Sequence, residues 1–263
     1  MFKRELKINF KSFIIWTSIL LAMFLFVFLI YPSLIASDQM DNLDEMLKMF
    51  PPEVIKAFNM DISKIDTAFG WMKTEGFVFV LLVSGIYSSI LGSNILLKEE
   101  NDKTIEYLNS LPITRKKIAL EKIAVATFYI VLMILIMGVF NFIGLQSDKG
   151  FDQKQFILLS ITPVFSSLVL FSISLFISTF AHKTKKVLGV SLGIVFISYF
   201  LNLVSEMSDK VKFLKYFSTF SLADIRNVIK EIKINPVIVL ITAALFLIMC
   251  LLSIIRYNKK DLV

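Results

Sequence analysis

The chain has 263 residues, 56% of them hydrophobic and 19% charged, with a formal net charge of +7 at pH 7 and a mean hydropathy of +0.75. That apolar share exceeds what a soluble domain of this length carries. It excludes a water-soluble globular enzyme, whose buried helices would still keep a polar outer face. The single cysteine, Cys250, allows no intramolecular disulfide and no thiolate metal cluster. The basic excess does not point to nucleic acid, because it is distributed between apolar runs in the manner of membrane topology.

Six runs lack Asp, Glu, Lys, Arg and His altogether: 12–37, 76–97, 123–147, 155–181, 187–205 and 234–255. About 20 apolar residues in a helix cross the hydrocarbon core of a bilayer. The expected fold class is therefore an all-α polytopic membrane protein with six transmembrane helices, the whole of 1–263 forming one transmembrane domain. The first run begins too late and is too long for a cleaved signal peptide, so it reads as a retained span.

Ahead of it, Lys3, Arg4, Lys7 and Lys11 alternate with Phe2, Leu6, Phe10 and Phe13. The apolar four share a helical face, the pattern of an N-terminal interfacial helix. Segment 38–75 offers two amphipathic pieces, Leu43, Met46, Leu47 and Phe50, then Val54, Ile55 and Phe58, separated by Pro51-Pro52. Paired prolines break a helix and suit the start of the next, so short outer-face helices are expected before span two.

The second run carries small residues in rows: Ser84, Ser88 and Gly92 beside Gly85, Ser89 and Ser93. Small-xxx-small spacing lets helix backbones approach in lipid. The fifth run repeats the device with Gly189 and Gly193. Helix packing within the subunit is the first reading of both rows, and a pathway lining or dimer seam the sharper one. The fourth run is rich in hydroxyls, Ser166, Ser167, Ser172, Ser174, Ser178 and Thr179, which can bond back to their own helix without implying a pore. His182, the only histidine, begins a tight basic turn at 182–186 and reads as topological. Segment 206–233 mixes Lys212, Lys215, Phe213, Tyr216, Phe217 and Phe220. Aromatic rings favour the headgroup level, which predicts a helix or re-entrant hairpin before span six.

Six spans put both termini on one side. On that side lie 1–11, 98–122, 182–186 and 256–263, with 16 Lys and Arg in 49 residues, against 12 in 73 on the other side. Short cytoplasmic loops carry excess Lys and Arg, so both termini are expected in the cytoplasm of a bacterial plasma membrane.

Much chemistry is missing. No G-x-x-x-x-G-K-[ST] phosphate loop or H-E-x-x-H occurs. The chain is read as a non-enzyme that holds no metal and binds no ATP itself. The runs also contain no ionisable relay of the kind that ion-coupled carriers place mid-membrane. A transport protein so built takes its energy from outside, and the charged loop 98–122 is the natural point of delivery.

That loop carries a motif. Glu99-Glu100, Thr104, Glu106, Leu108, Pro112-Ile113-Thr114-Arg115 and Lys122 resemble the loop between spans two and three of type-2 ABC-transporter permeases. The family pattern is an acidic pair, Gly-Thr-x-Glu-x-Leu, Pro-[Val/Ile]-[Ser/Thr]-Arg and a lysine opening span three. Lys103 stands where the family has glycine, and Ser218-Thr219-Phe220 where many relatives have a Ser-Pro-Phe-like turn. The layout of spans and outer segments is similar over essentially the whole chain.

The resemblance implies a permease subunit whose loop docks on a separate ATPase, two copies of which bind ATP and magnesium, with a second permease chain, identical or related, completing the pathway. Expected docking residues are Glu99, Glu100, Thr104, Ile105, Glu106, Leu108, Leu111, Pro112 and Arg115. Ile105, Leu108 and Leu111 would form an apolar edge, and the flanking charges would set register. Ser84, Gly85, Ser88, Ser89, Gly92, Gly189 and Gly193 are the packing or pathway candidates. An uncharged pathway suits export of an amphipathic or hydrophobic compound such as a drug, an antimicrobial peptide or a lipid. Two other classes stand beside this reading: an immunity protein that sequesters a peptide through 38–75 and 206–233, and an ion-coupled carrier.

Overall fold

The structure, a computed structural model, describes residues 1–35, 67–106, 112–146, 148 and 150–260, with the side chains of 31–35 outside that description. Every regular element among the described residues is helical. Six helices are long and apolar enough to cross a membrane, as the six charge-free runs predict. They are α1 (Phe2–Ile35), α2 (Ala68–Ile95), α4 (Arg115–Leu145), α5 (Gln153–Ser178), α6 (Thr184–Met207) and α8 (Pro236–Lys259). A single turn, α3 (Lys98–Asn101), follows α2. Two 3₁₀ segments (Asp209–Phe217 and Thr219–Ala223) and α7 (Ile225–Glu231) lie between α6 and α8. The start of α1, the end of α8 and residues 98–106 and 112–115 gather at one end, here the loop end; the C-terminal ends of α4 and α6 belong to the far end.

Helices outrun the charge-free stretches, because a helix continues through its polar ends while lipid compatibility does not. Thus α2 begins at Ala68 and takes Lys73 and Glu75 into a π-helical segment, Met72–Gly76. The N-terminal stretch is helical, but it is the first three turns of α1 rather than a separate surface helix. Its inward stripe is Glu5, Asn9, Phe13, Thr17, Leu20 and Phe24, while Phe2 and Phe10 are exposed. The expected outer pieces at 43–58 fall outside the described residues.

α2 and α5 form the centre, with 67% and 56% of their most apolar stretches buried, whereas α1, α6 and α8, at 22%, 22% and 17%, show most of theirs to lipid. The α2–α5 pair is the most extensive helix contact, and the small-residue row of α2 explains it. A Cβ at Gly92 would lie 2.4 Å from the Phe171 carbonyl oxygen, and one at Gly85 3.0 Å from Leu170. The Ser167 hydroxyl donates to Ser84 Oγ across the contact at 3.0 Å. Ser84, Ser88 and Ser89 are fully buried, so this row packs the subunit. Gly189 and Gly193 meet nothing within 4 Å.

Three serines of α5 bond back to their own helix: Ser166 to the Pro163 carbonyl, Ser172 to Val169 and Ser178 to Leu175. Pro163 lies inside α5, and proline has no N–H for the carbonyl four residues earlier. That carbonyl, of Leu159, instead accepts the Thr162 hydroxyl at 2.9 Å.

At the far end Phe69, Phe142, Phe151 and Phe156 form an edge-to-face cluster, with Phe69 and Phe151 centroids 5.2 Å apart. Asp148 Oδ2 accepts the Phe69 N–H at 2.6 Å and Thr67 Oγ1 the Gly70 N–H at 3.0 Å, closing the start of α2. The segment before α8 is helical, as expected. Its turn without the family's proline is built from hydroxyls. Ser218 Oγ donates to the Ser198 carbonyl at 2.7 Å, and the Thr219 N–H donates to Ser198 Oγ at 2.7 Å. Phe220 is thereby buried against Tyr199, while Phe213, Tyr216 and Phe217 are exposed. α7 is bracketed by two left-handed residues, Asp224 (φ 47°) and Ile232 (φ 50°).

Candidate coupling site

Lys122 opens the third charge-free run, one residue ahead of it, and is fully buried. A buried ammonium is costly unless charges and hydrogen-bond acceptors surround it. Lys122 Nζ lies 2.9 Å from both Glu99 oxygens, 2.7 Å from the Ile95 carbonyl oxygen and 3.4 Å from Glu5 Oε2. Glu5 and Glu99 are likewise buried. One cation thus ties the first turns of α1, the end of α2, α3 and the first turns of α4. Nearby the Tyr129 hydroxyl donates to the Leu6 carbonyl at 2.7 Å.

Glu100 makes the second node. Its Oε1 accepts from Lys260 Nζ at 2.6 Å, and its Oε2 lies 2.9 Å from His182 Nδ1. Lys260 Nζ also donates to the Ala181 carbonyl, and the Lys260 carbonyl accepts from Arg115 Nη1 at 2.9 Å. Asn101 meets Thr184 at the start of α6 through the side-chain amide, and the Thr184 N–H donates to Asn101 Oδ1 at 3.3 Å. The loop-end margins of all six spans therefore converge on three consecutive residues, Glu99, Glu100 and Asn101, α1 through Lys122. The apolar runs are uncharged, and their loop-end margins hold a buried ionic network.

The turn beyond α3 shows why lysine is tolerated at the family's glycine position. Lys103 has φ 54°, in the left-handed region that glycine enters without steric cost. The Thr104 N–H donates to the Glu99 carbonyl at 2.9 Å and the Lys103 N–H to the Glu100 carbonyl at 3.4 Å. This is a Schellman closure, which usually employs glycine. The glycine's geometry is kept although the glycine is gone.

The start of α4 is equally defined. Thr114 caps it, its Oγ1 accepting the Lys117 N–H at 3.4 Å. Ile113 before the cap packs with buried Ile118 one turn in, a hydrophobic staple that fixes how the chain enters the helix. Ile105 joins the same cluster.

The expected docking residues divide accordingly. Glu99, Glu100 and Ile105 point inward and are occupied by the chain's own groups, so none of the three forms part of an exposed edge. Thr104, Glu106 and Pro112 are exposed, with Asp102, Lys103, Lys116 and Lys117 beside them, and Arg115 is half-buried. Leu108 and Leu111 lie outside the described residues. His182, read as topological, is a partner of Glu100. Sequence reasoning missed Glu5, Lys122 and Lys260 as internal partners. The available signal was an acidic pair directly after one span and a lysine directly before the next.

Six membrane-length helices with a capped, motif-bearing turn at their shared end define a polytopic membrane protein. The chain belongs to the ABC-2 family transporter proteins, whose family model matches residues 1–262. It is a membrane-spanning permease subunit of an ABC transporter, a class that works with an ABC ATPase. No curated protein matches the chain, and no solved structure matches it.

Proposed function

We propose that the subunit exports an amphipathic or hydrophobic compound, with the loop end in the cytoplasm and the loop 98–122 receiving the work of a separate ATPase. ATP and magnesium belong to that partner, two copies of which serve two permease chains. The observation carrying this reading is the two-sidedness of the loop. Its outer rim (Lys103, Thr104, Glu106, Pro112, Lys116, Lys117) is exposed, while its inner side is bonded to all six spans through Lys122, Lys260 and Asn101. A load applied to the rim reaches the spans through short charged contacts rather than through compressible packing. ATP-driven closure of the partners would draw paired loops together and rock the spans between inward-open and outward-open arrangements.

The experiment is reconstitution of the permease with its co-purifying ATPase in vesicles. Reversing the rim charges (Glu106→Lys with Lys116→Glu and Lys117→Glu) is expected to lower cargo-stimulated ATP hydrolysis at least about tenfold, as disrupted charge complementarity does at interfaces. Thr104→Cys is expected to react with an impermeant thiol reagent only from the cytoplasmic side. Labelling from outside alone, or cargo flux without any nucleotide-hydrolysing subunit, would sink the proposal.

A further inference from the structure

At the far end, α2, the end of α6 and the segment before α8 enclose a cavity of about 380 Å³, large enough for a drug-sized molecule or a lipid headgroup with its first methylenes. Its floor is apolar, formed by Val78, Leu81, Leu203 and Phe220. Its polar wall is charged, and most of that charge is already committed. Arg226 pairs with Glu206, Lys212 lies 3.8 Å from Asp209, and the Lys73 and Lys215 ammonium groups lie over the rings of Phe69 and Tyr216.

Two acceptors are left over. Glu75 Oε1 and Asp224 Oδ2 are shielded from water and have no hydrogen-bond partner among the described residues. Both residues line the cavity, from different walls, α2 and the turn before α7. Asp224 already receives the Asn227 amide on its other oxygen at 2.7 Å. Burial holds its carboxyl above the usual range, against the lowering by Asn227 and Lys215. Buried carboxylate oxygens are costly to leave without donors. A group carrying several N–H donors and a positive charge relieves both at once, and an alkyl chain attached to it meets the apolar floor.

We infer that this cavity binds the protonated amine of an amphipathic molecule, the ammonium between Glu75 and Asp224 and the apolar part against Val78, Leu81, Leu203 and Phe220. The amine belongs either to an aminophospholipid headgroup or to a free cationic amphiphile. The inference names a binding chemistry for the amphipathic class proposed above and rests on that reading for its transport meaning.

The test uses the full chain in nanodiscs of phosphatidylcholine and phosphatidylglycerol, with a photoactivatable dodecylammonium as probe and the corresponding dodecanol as neutral control. The amine is expected to label 73–81, 199–206 and 218–227, and the alcohol to label them at least tenfold less. Glu75→Gln with Asp224→Asn is expected to lower amine labelling at least tenfold, and Asp224→Asn alone to raise the melting temperature of the unliganded protein. Protection by added phosphatidylethanolamine would assign the site to lipid, and its absence to a free amphiphile; either supports the site. Equal labelling by amine and alcohol in the unaltered chain, or undiminished labelling in the double variant, would overturn it. Because the readout is occupancy, its failure leaves the transport reading standing. Loss of ATP-dependent flux with labelling intact would strike that reading instead.

Discussion

The two ends of the bundle are held by different physics. At the loop end, Lys122, Glu99, Glu5, Glu100 and Lys260 are locked by short contacts between residues up to 160 positions apart. At the far end, edge-to-face and tilted phenylalanines and hydroxyl-built turns do the work. An edge-to-face aromatic pair contributes about 0.5–1.5 kcal/mol beyond the area it buries. Breaking a buried ion pair costs more, about 3–5 kcal/mol, since one member is left as an uncompensated buried charge. The loop end is thus the costlier of the two to pull apart.

The contrast is broken most severely by Lys122→Met. Removing the cation that bridges two buried carboxylates is expected to cost about 3–5 kcal/mol, read as a lowered melting temperature in detergent. Adding Glu99→Gln and Glu5→Gln to that variant should recover much of the loss. Unchanged stability in Lys122→Met alone would show that the network is not what holds this end. Next comes Gly92→Ala, whose new methyl would clash with the Phe171 carbonyl; overpacking of this kind costs about 1–3 kcal/mol. Its effect should fall on α2–α5 packing and leave the reactivity of Thr104→Cys unaltered.

Glu100→Gln keeps the shape but weakens the charge-assisted bonds to Lys260 and His182. A loss of about 1–2 kcal/mol is expected, with faster proteolysis after Arg256 as the local readout. Lys103→Gly should stabilise by about 0.5–1 kcal/mol, because glycine enters the left-handed turn without the steric cost lysine bears. Destabilisation there would mean that the Lys103 side chain contributes something the turn geometry does not. Smallest of all, Gly189→Ala and Gly193→Ala should change monomer stability by less than about 0.5 kcal/mol, since neither meets a neighbour. A marked fall in the dimer fraction on cross-linking would make that row the seam between two permeases.

The spans and the loop motif were legible because each depends on local sequence. A run of about 20 uncharged residues is a physical statement by itself, and the Pro112-Ile113-Thr114-Arg115 signature is simply a staple, a cap and a first turn. The direction of Glu99 and Glu100 was not legible. α3 has four residues, too few for a periodicity to reveal a face, and the groups that turn them inward are Lys122, His182 and Lys260. The same holds for Glu5. Its stripe with Asn9 and Phe13 at i, i+4 and i+8 competes with the equally periodic Phe2, Leu6 and Phe10, and only a neighbour such as α4 decides which face is buried. The far-end cavity had no sequence signal, since its two carboxylates are 149 positions apart.

One detail of α5 carries further. The carbonyl that Pro163 leaves without a backbone donor is held by the Thr162 hydroxyl, which sits on a rotatable bond rather than in the rigid ladder. α5 therefore has a swivel near its middle that can change its bend while the oxygen keeps a proton to hold. In the helix that shares the largest contact with α2, such a joint lets the two halves of the permease core tilt independently without stranding a bare carbonyl in hydrocarbon.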